Sequence, residues 1–130
     1  MQLDSSVQGD PRVRRALSRG HLVDLTTYGR RSGLPRRIEI VFHAIDGRVV
    51  ISGMPRRRPR AWLLNIRANP SVILHLKSIV TADLPATARE ITDPTDRRYL
   101  IERVAANWGR TDVDVMDELS PLVELTFGSE

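Results

Sequence analysis

The sequence predicts an α+β chain whose six mostly antiparallel strands form a small split β-barrel with short helices. Three observations carry this. Apolar residues alternate with period two over residues 37–44, and Asp46-Gly47 separates two strand-like runs. The regular strand–helix alternation of a doubly wound sheet is missing. Val13, Ala16 and Leu17 recur at helical spacing, predicting a short amphipathic helix over 11–20 that ends at Gly20. Residues 22–28 form a β-branched first strand, followed by the turn Gly29-Arg30-Arg31-Ser32-Gly33. In the second strand, Ile38, Ile40, Phe42 and Ala44 share one face, and Arg37, Glu39, Val41 and His43 the other. Asp46-Gly47 makes a tight turn into a third strand over 48–52. Pro55 and Pro59 keep the segment between them out of helix and ladder, so Arg56, Arg57 and Arg58 ride on a loop.

Residues 60–68 predict a helix with Trp62, Leu63 and Ile66 inward, stopped by Asn69-Pro70. A strand over 72–77 follows, with Val72, Leu74 and Leu76 on one face. A longer strand over 79–91 is expected to bend or break at Pro85. Thr92 or Asp93 caps a helix over 94–107 whose stripe is Leu100, Val104 and Trp108. A second helical turn over 113–119 precedes a closing strand over 121–127. The chain thus divides into a helical extension, 1–20, and one barrel domain, 21–130.

With 130 residues, 41% of them hydrophobic, the chain is long enough for one core. No apolar run approaches the roughly 18 residues of a membrane span, and residues 1–19 lack the apolar stretch of a secretory signal. The absence of cysteine excludes disulfides, thiolate metal sites and thiol nucleophiles, and makes the cytoplasm the expected compartment. Charge is distributed unevenly. Nine arginines fall in residues 29–60 against Glu39 and Asp46, a local net of +7 in a chain of net +4. Arginine binds planar anions through paired hydrogen bonds, so this block suits phosphate, carboxylate or nucleic acid. Nucleic acid calls for aromatics interleaved with the cations, yet only Tyr28 and Trp62 lie near them, and no nucleic-acid partner is expected.

The turn over 29–37 carries four arginines and Ser32 between two glycines, which suits a phosphate-bearing ligand or else a solvated hairpin. It lacks the Gly-Lys-Ser/Thr ending of a Walker A loop. The segment LTTYGRRSGLPRR, followed after a strand–DG–strand unit by ISGMPRRRPRAWLLNIRANP, resembles the deazaflavin-dependent nitroreductase family. That family belongs with the FMN-binding split-barrel and pyridoxamine-phosphate-oxidase-like proteins. The resemblance covers roughly residues 25–77. It implies coenzyme F420, a 5-deazaflavin with a phosphate and an oligoglutamate tail, delivering hydride from C5 to a small quinone, nitro-compound or activated alkene.

Carried over, Arg31 and Arg36 hold the phosphate end, with Ser32 and Gly33 as backbone donors. Ile38, Glu39, Ile40 and Val41 line the ring. Ser52 and Gly53 let it approach the backbone, and Arg57 and Arg58, with Arg56, follow the tail. Asn65 fixes the loop by a hydrogen bond, and Trp62 belongs to the core. Substrate is expected between Ser52/Gly53 and the helix from residue 94. Glu39, an acid near an anion site, is expected to turn toward Arg37 or Arg48. Two departures from the family stand out: the loop of three consecutive arginines, and the lack of counterparts to its substrate-side tyrosines beyond Tyr99 and Trp108. The alternatives are a non-catalytic module that binds or carries F420, FMN or haem on the same barrel, or else a basic nucleic-acid-binding protein. His21, His43 and His75 with Glu39 lack any close metal-ligand spacing, although His43 and His75 could meet across the barrel, and no metal is expected. A homodimer and a peripheral membrane contact stay open.

Overall fold

A computed structural model describes residues 9–128. Its elements are α1 (Pro11–Leu17), β1 (Leu22–Tyr28), β2 (Pro35–Ile45), β3 (Arg48–Ser52), α2 (Ala61–Ala68), β4 (Ser71–Lys77), β5 (Thr81–Glu90), α3 (Pro94–Asn107), α4 (Val113–Leu119) and β6 (Leu122–Phe127). The strands close into a barrel in the order β1-β2-β3-β6-β5-β4, with β4 returning to β1, and every pairing is antiparallel. Closure leaves hydrogen-bonding edges only where strands differ in length.

Local chemistry sets these elements. Asp46 and Gly47 both adopt positive φ, 54° and 77°, which matches the mirror-image turn that a right-twisted hairpin needs. Asp10 caps α1 by accepting from the Arg12 amide, and Asp93 caps α3 by accepting from the Asp96 amide. The period-two pattern of β2 holds: Phe42 is fully buried, and Ile38, Ile40 and Ala44 pack against the same core. That core fills the barrel with Val23, Leu25, Leu74 and Leu84, and its ends are plugged by Val13 and Ala16 of α1 and by Trp62, Leu63 and Ile66 of α2. A second core lies outside the barrel, where Leu100, Ile101 and Val104 of α3 and Met116 of α4 cover Ile45, Val50 and Leu122. Loss of a side chain such as Leu25 from such a site costs about 2–5 kcal/mol.

Three expectations are corrected. The first helix stops at Leu17, and Gly20 serves packing: a Cβ there would lie 2.4 Å from the Phe42 carbonyl oxygen. The second strand begins two residues early, at Pro35. Pro85 does not break β5, which runs unbroken from Thr81 to Glu90. It pairs with Ile73 of β4 and lies one residue beyond the last β6 pair, Ala86 with Phe127, so no second strand calls on its missing N–H. The proposed 1–20 extension falls partly outside the described residues. No helix among those described is long and apolar enough to cross a membrane.

Candidate cofactor site

The length mismatch between β2 and β3 creates the site. Residues 35–41 of β2 pair with β1, and residues 42–45 pair with β3, which ends at Ser52. On its β3 side the stretch 38–41 has no strand partner, so its backbone polar groups face a cleft. This cleft, about 300 Å³, is walled by Ile38, Glu39, Ile40 and Val41, by Ser52 and Gly53 at the end of β3, and by Met54, Arg60, Trp62 and Trp108. Apolar walls with an exposed backbone edge suit a planar heterocycle. Ile38, Ile40, Val41, Ser52 and Gly53 thus converge, as expected together. Trp62 is buried in the core and also reaches the cleft.

Some details differ from expectation. Ser52 is buried and its hydroxyl donates to the Pro121 carbonyl at 2.6 Å, so it holds β3 against β6. At Gly53 the approach is taken by Arg60, whose guanidinium carbon would lie 3.0 Å from an added Cβ. Glu39 pairs with Lys77 at 2.5 Å, not with an arginine. Lys77 reaches across β1 to bond Asp24 as well, while Arg37 is taken by Asp24 at 3.0 Å and Arg48 by Asp96 and Glu124, both at 2.8 Å. The acid is thereby neutralised on the strand face opposite the barrel core.

The β1–β2 turn is built from its own side chains. Gly33, at φ 73°, donates its N–H to the Gly29 carbonyl at 2.7 Å, and Ser32 Oγ accepts from the Leu34 amide at 3.1 Å. Gly33 is therefore spent within the turn, and Arg31, Ser32, Gly33 and Arg36 are not among the residues that line the cleft. Asn65, buried on α2, joins the turn to the core: its Oδ1 accepts from the Arg30 amide at 3.0 Å and its Nδ2 donates to Thr27 Oγ1 at 3.1 Å. Arg36 lies on the same strand face as Ile38 and Ile40.

A second, arginine-rich cleft of about 310 Å³ includes Arg56, Arg57, Arg58 and Arg67, and Arg60 lines both. Burial, and to a lesser degree the charge of neighbouring Arg56, pull the Arg60 pKa down. Ion pairing divides the arginines. Among the described residues, Arg12, Arg37, Arg48, Arg67, Arg89, Arg97, Arg98, Arg103 and Arg110 all have a carboxylate within 4.0 Å, whereas Arg30, Arg31, Arg36, Arg56, Arg57, Arg58 and Arg60, and Arg14, Arg15 and Arg19 at the N-terminal helix, have none. The histidines do not assemble. His75 bonds Thr26 Oγ1 and Asp83 at 2.7 Å each, and His43 bonds Asn107 at 3.0 Å.

Sequence reasoning missed Met54 and Arg60 as wall residues. Trp108, read both as an apolar stripe position and, with Tyr99, as a substrate-side counterpart, lines the cleft beside β2.

Comparison with known proteins bears on this geometry. The profile of the F420H(2)-dependent quinone reductase family matches residues 4–118. The chain belongs to that family. As an F420H(2)-dependent quinone reductase family member it is an F420-dependent oxidoreductase, and its cofactor is coenzyme F420. Solved structures share the fold at low identity. An F420-H2 dependent reductase is 19% identical with a TM-score of 0.63, covering 81% of this chain and 93% of its own. A conserved hypothetical protein from Mycobacterium tuberculosis is 16% identical, TM-score 0.71, covering 91% and 79%. A putative pyridoxamine 5'-phosphate oxidase from Listeria innocua is 14% identical, TM-score 0.59, covering 85% and 86%. The residues present fit the group: an apolar slot for a planar ring adjoins, through Arg60, a cleft carrying Arg56, Arg57 and Arg58, with Glu90 and Glu118 also on its wall.

Proposed function

We propose that this chain binds reduced F420 with its ring in the β2-edge cleft and reduces a small quinone, nitro-compound or activated alkene. The observation that carries the reading is that Arg56, Arg57, Arg58 and Arg60 gather at one cleft without carboxylate partners, whereas Arg67 and Arg97, which also line it, are paired. Reduced F420 supplies a hydride when bound. Arg31 and Arg36, with backbone donors of the β1–β2 turn, hold its phosphate. Arg56, Arg57 and Arg58 attract the oligoglutamate tail as a diffuse field, and Arg60 bridges the two regions. Ile38, Ile40 and Val41 exclude water along the ring, and Asn65 positions the turn without touching the ligand. No acid–base pair is assigned.

The test is competition. Coenzyme F420 is titrated by its fluorescence at about 0.15 M salt, where long-range attraction is largely screened, with heparin or single-stranded DNA in excess. Retained binding and F420-dependent reduction of menadione support a shaped slot. Full displacement with no menadione reduction leaves only a basic surface.

A further inference from the structure

Arg97 stands fourth in α3, near the positive end of the helix dipole, where a cation is disfavoured. Its side chain is only 16% exposed, and burial pulls its pKa down against the opposing pull of Asp117 and Glu90. The guanidinium is spent on main-chain carbonyls. Nε donates to the Asp117 carbonyl at 2.7 Å, and Nη2 to those of Ser120 at 2.5 Å and Met116 at 3.4 Å. Nη1 reaches the Ile91 carbonyl at 3.5 Å. Three of these four carbonyls lie at the C-terminal end of α4, where a helix leaves acceptors without partners of its own. A planar fork of five donors can close such an end, whereas the compact ammonium of a lysine cannot span it.

The same helix end carries the arginine loop. Between Pro55 and Pro59, the Arg56 N–H donates to the Leu119 carbonyl at 3.2 Å, the only backbone hydrogen bond of residues 55–59 among those described. Leu119 lies between Asp117 and Ser120, so fixing their carbonyls also fixes the direction of its own. Arg97, Leu119 and Ser120 share one cleft with Arg56, Arg57 and Arg58. We propose that Arg97 is a positioning residue for the arginine loop. By bonding the end of α4 it aims the Leu119 carbonyl at the Arg56 N–H, and so sets where Arg56, Arg57 and Arg58 meet an oligoanionic ligand. This role rests on the proposed hold of the cleft on the glutamate tail of F420. Because its donors are taken by carbonyls, Arg97 contributes placement and not charge.

The experiment compares F420 with its glutamate-free form by fluorescence titration, and follows exchange of the Arg56 amide by NMR in the cofactor-free protein. The wild type is expected to prefer the tailed form and to protect the Arg56 amide. Arg97→Lys keeps the charge but lacks the fork. It should lose most of the tail preference and most of the protection, and should bind the glutamate-free form as the wild type does. A second pair of variants leaves Arg97 in place and decides the matter alone if Arg97→Lys does not fold. Arg56→Pro removes both the N–H and the charge, Arg56→Ala only the charge, so the proline variant should lose more of the tail preference. A folded Arg97→Lys with wild-type tail preference, or with its Arg56 amide still protected, overturns the proposal. Equal losses in Arg56→Pro and Arg56→Ala overturn it as well. If the wild type binds both forms of the cofactor alike, the reading of the cleft as the tail site falls, and the Arg56 amide still decides whether Arg97 holds the loop.

Discussion

Asn65 is the residue through which the barrel core sets the anion-facing turn, and its removal gives the most quantitative test of the site. Two hydrogen bonds leave with its side chain, one to the Arg30 amide at 3.0 Å and one to Thr27 Oγ1 at 3.1 Å. Each is worth about 0.5–1.5 kcal/mol net, so Asn65→Leu, which keeps the volume and loses both, should cost about 1–3 kcal/mol. Thr27 is 1% exposed, so water cannot replace the lost donor, and the upper half of that range is expected. For a chain of this size each kcal/mol lowers Tm by roughly 3–5 °C, giving a fall of roughly 5–15 °C. The turn between Gly29 and Leu34 loses its side-chain tether to α2, so Arg31 is no longer preset and F420 affinity should fall several-fold in the still-folded protein at 20 °C. Thermal melts by circular dichroism and F420 fluorescence titration read the two effects separately. An unchanged Tm refutes the hydrogen-bond accounting. A lowered Tm with unchanged F420 affinity refutes the positioning role.

Arg36→Ala should weaken F420 binding roughly 10- to 150-fold, about 1.5–3 kcal/mol, with Tm unchanged because the side chain is exposed; an Arg31/Arg36 double alanine variant that binds as the wild type does removes the pair from the site. Glutamine at Arg56, Arg57 and Arg58 together should erase the dependence of affinity on tail length and the part of its salt sensitivity that a diffuse field produces, checked by titrating F420 of different tail lengths at low and high salt. Arg48 holds the Asp96 and Glu124 carboxyls below their ordinary values. Because depressed carboxylate pKa values stabilise the fold above the unfolded value, this contribution is full above about pH 4.5 and drains away as the pH falls through the depressed values. Urea midpoints measured from pH 6 to 3 should decline, and Arg48→Met should flatten the decline, with a loss of about 1–2 kcal/mol at pH 6 for a network partly open to water.

Most of the fold was legible because its signals are local. The alternation in β2, the Asp46-Gly47 turn, the Asn69-Pro70 stop and the cap of α3 each act within a few residues. What escaped depends on partners distant in sequence. Pro85 reads as a breaker until the β6 register shows that no second strand needs its N–H. Glu39 and Lys77 are 38 positions apart and meet only because β4 closes onto β1. The arginine block was visible as a composition bias, but which arginines are spent on carboxylates follows from the folded surface alone. Arg60 shows the same limit at the candidate site.

The order of strands around the barrel has a consequence for how the chain is made. β6, the last of the barrel's strands in chain order, is the one that fits between β3 and β5. Until it emerges, the preceding five strands can form only an open sheet in the order β3-β2-β1-β4-β5, with two bare edges. Such edges template pairing with other chains, and long-range closure is slow. A nascent chain that stalls before Leu122, or a truncation that removes β6, should therefore aggregate or recruit a chaperone, and the two clefts that depend on Pro121 and the end of β3 would exist only after the final residues of the barrel have joined it.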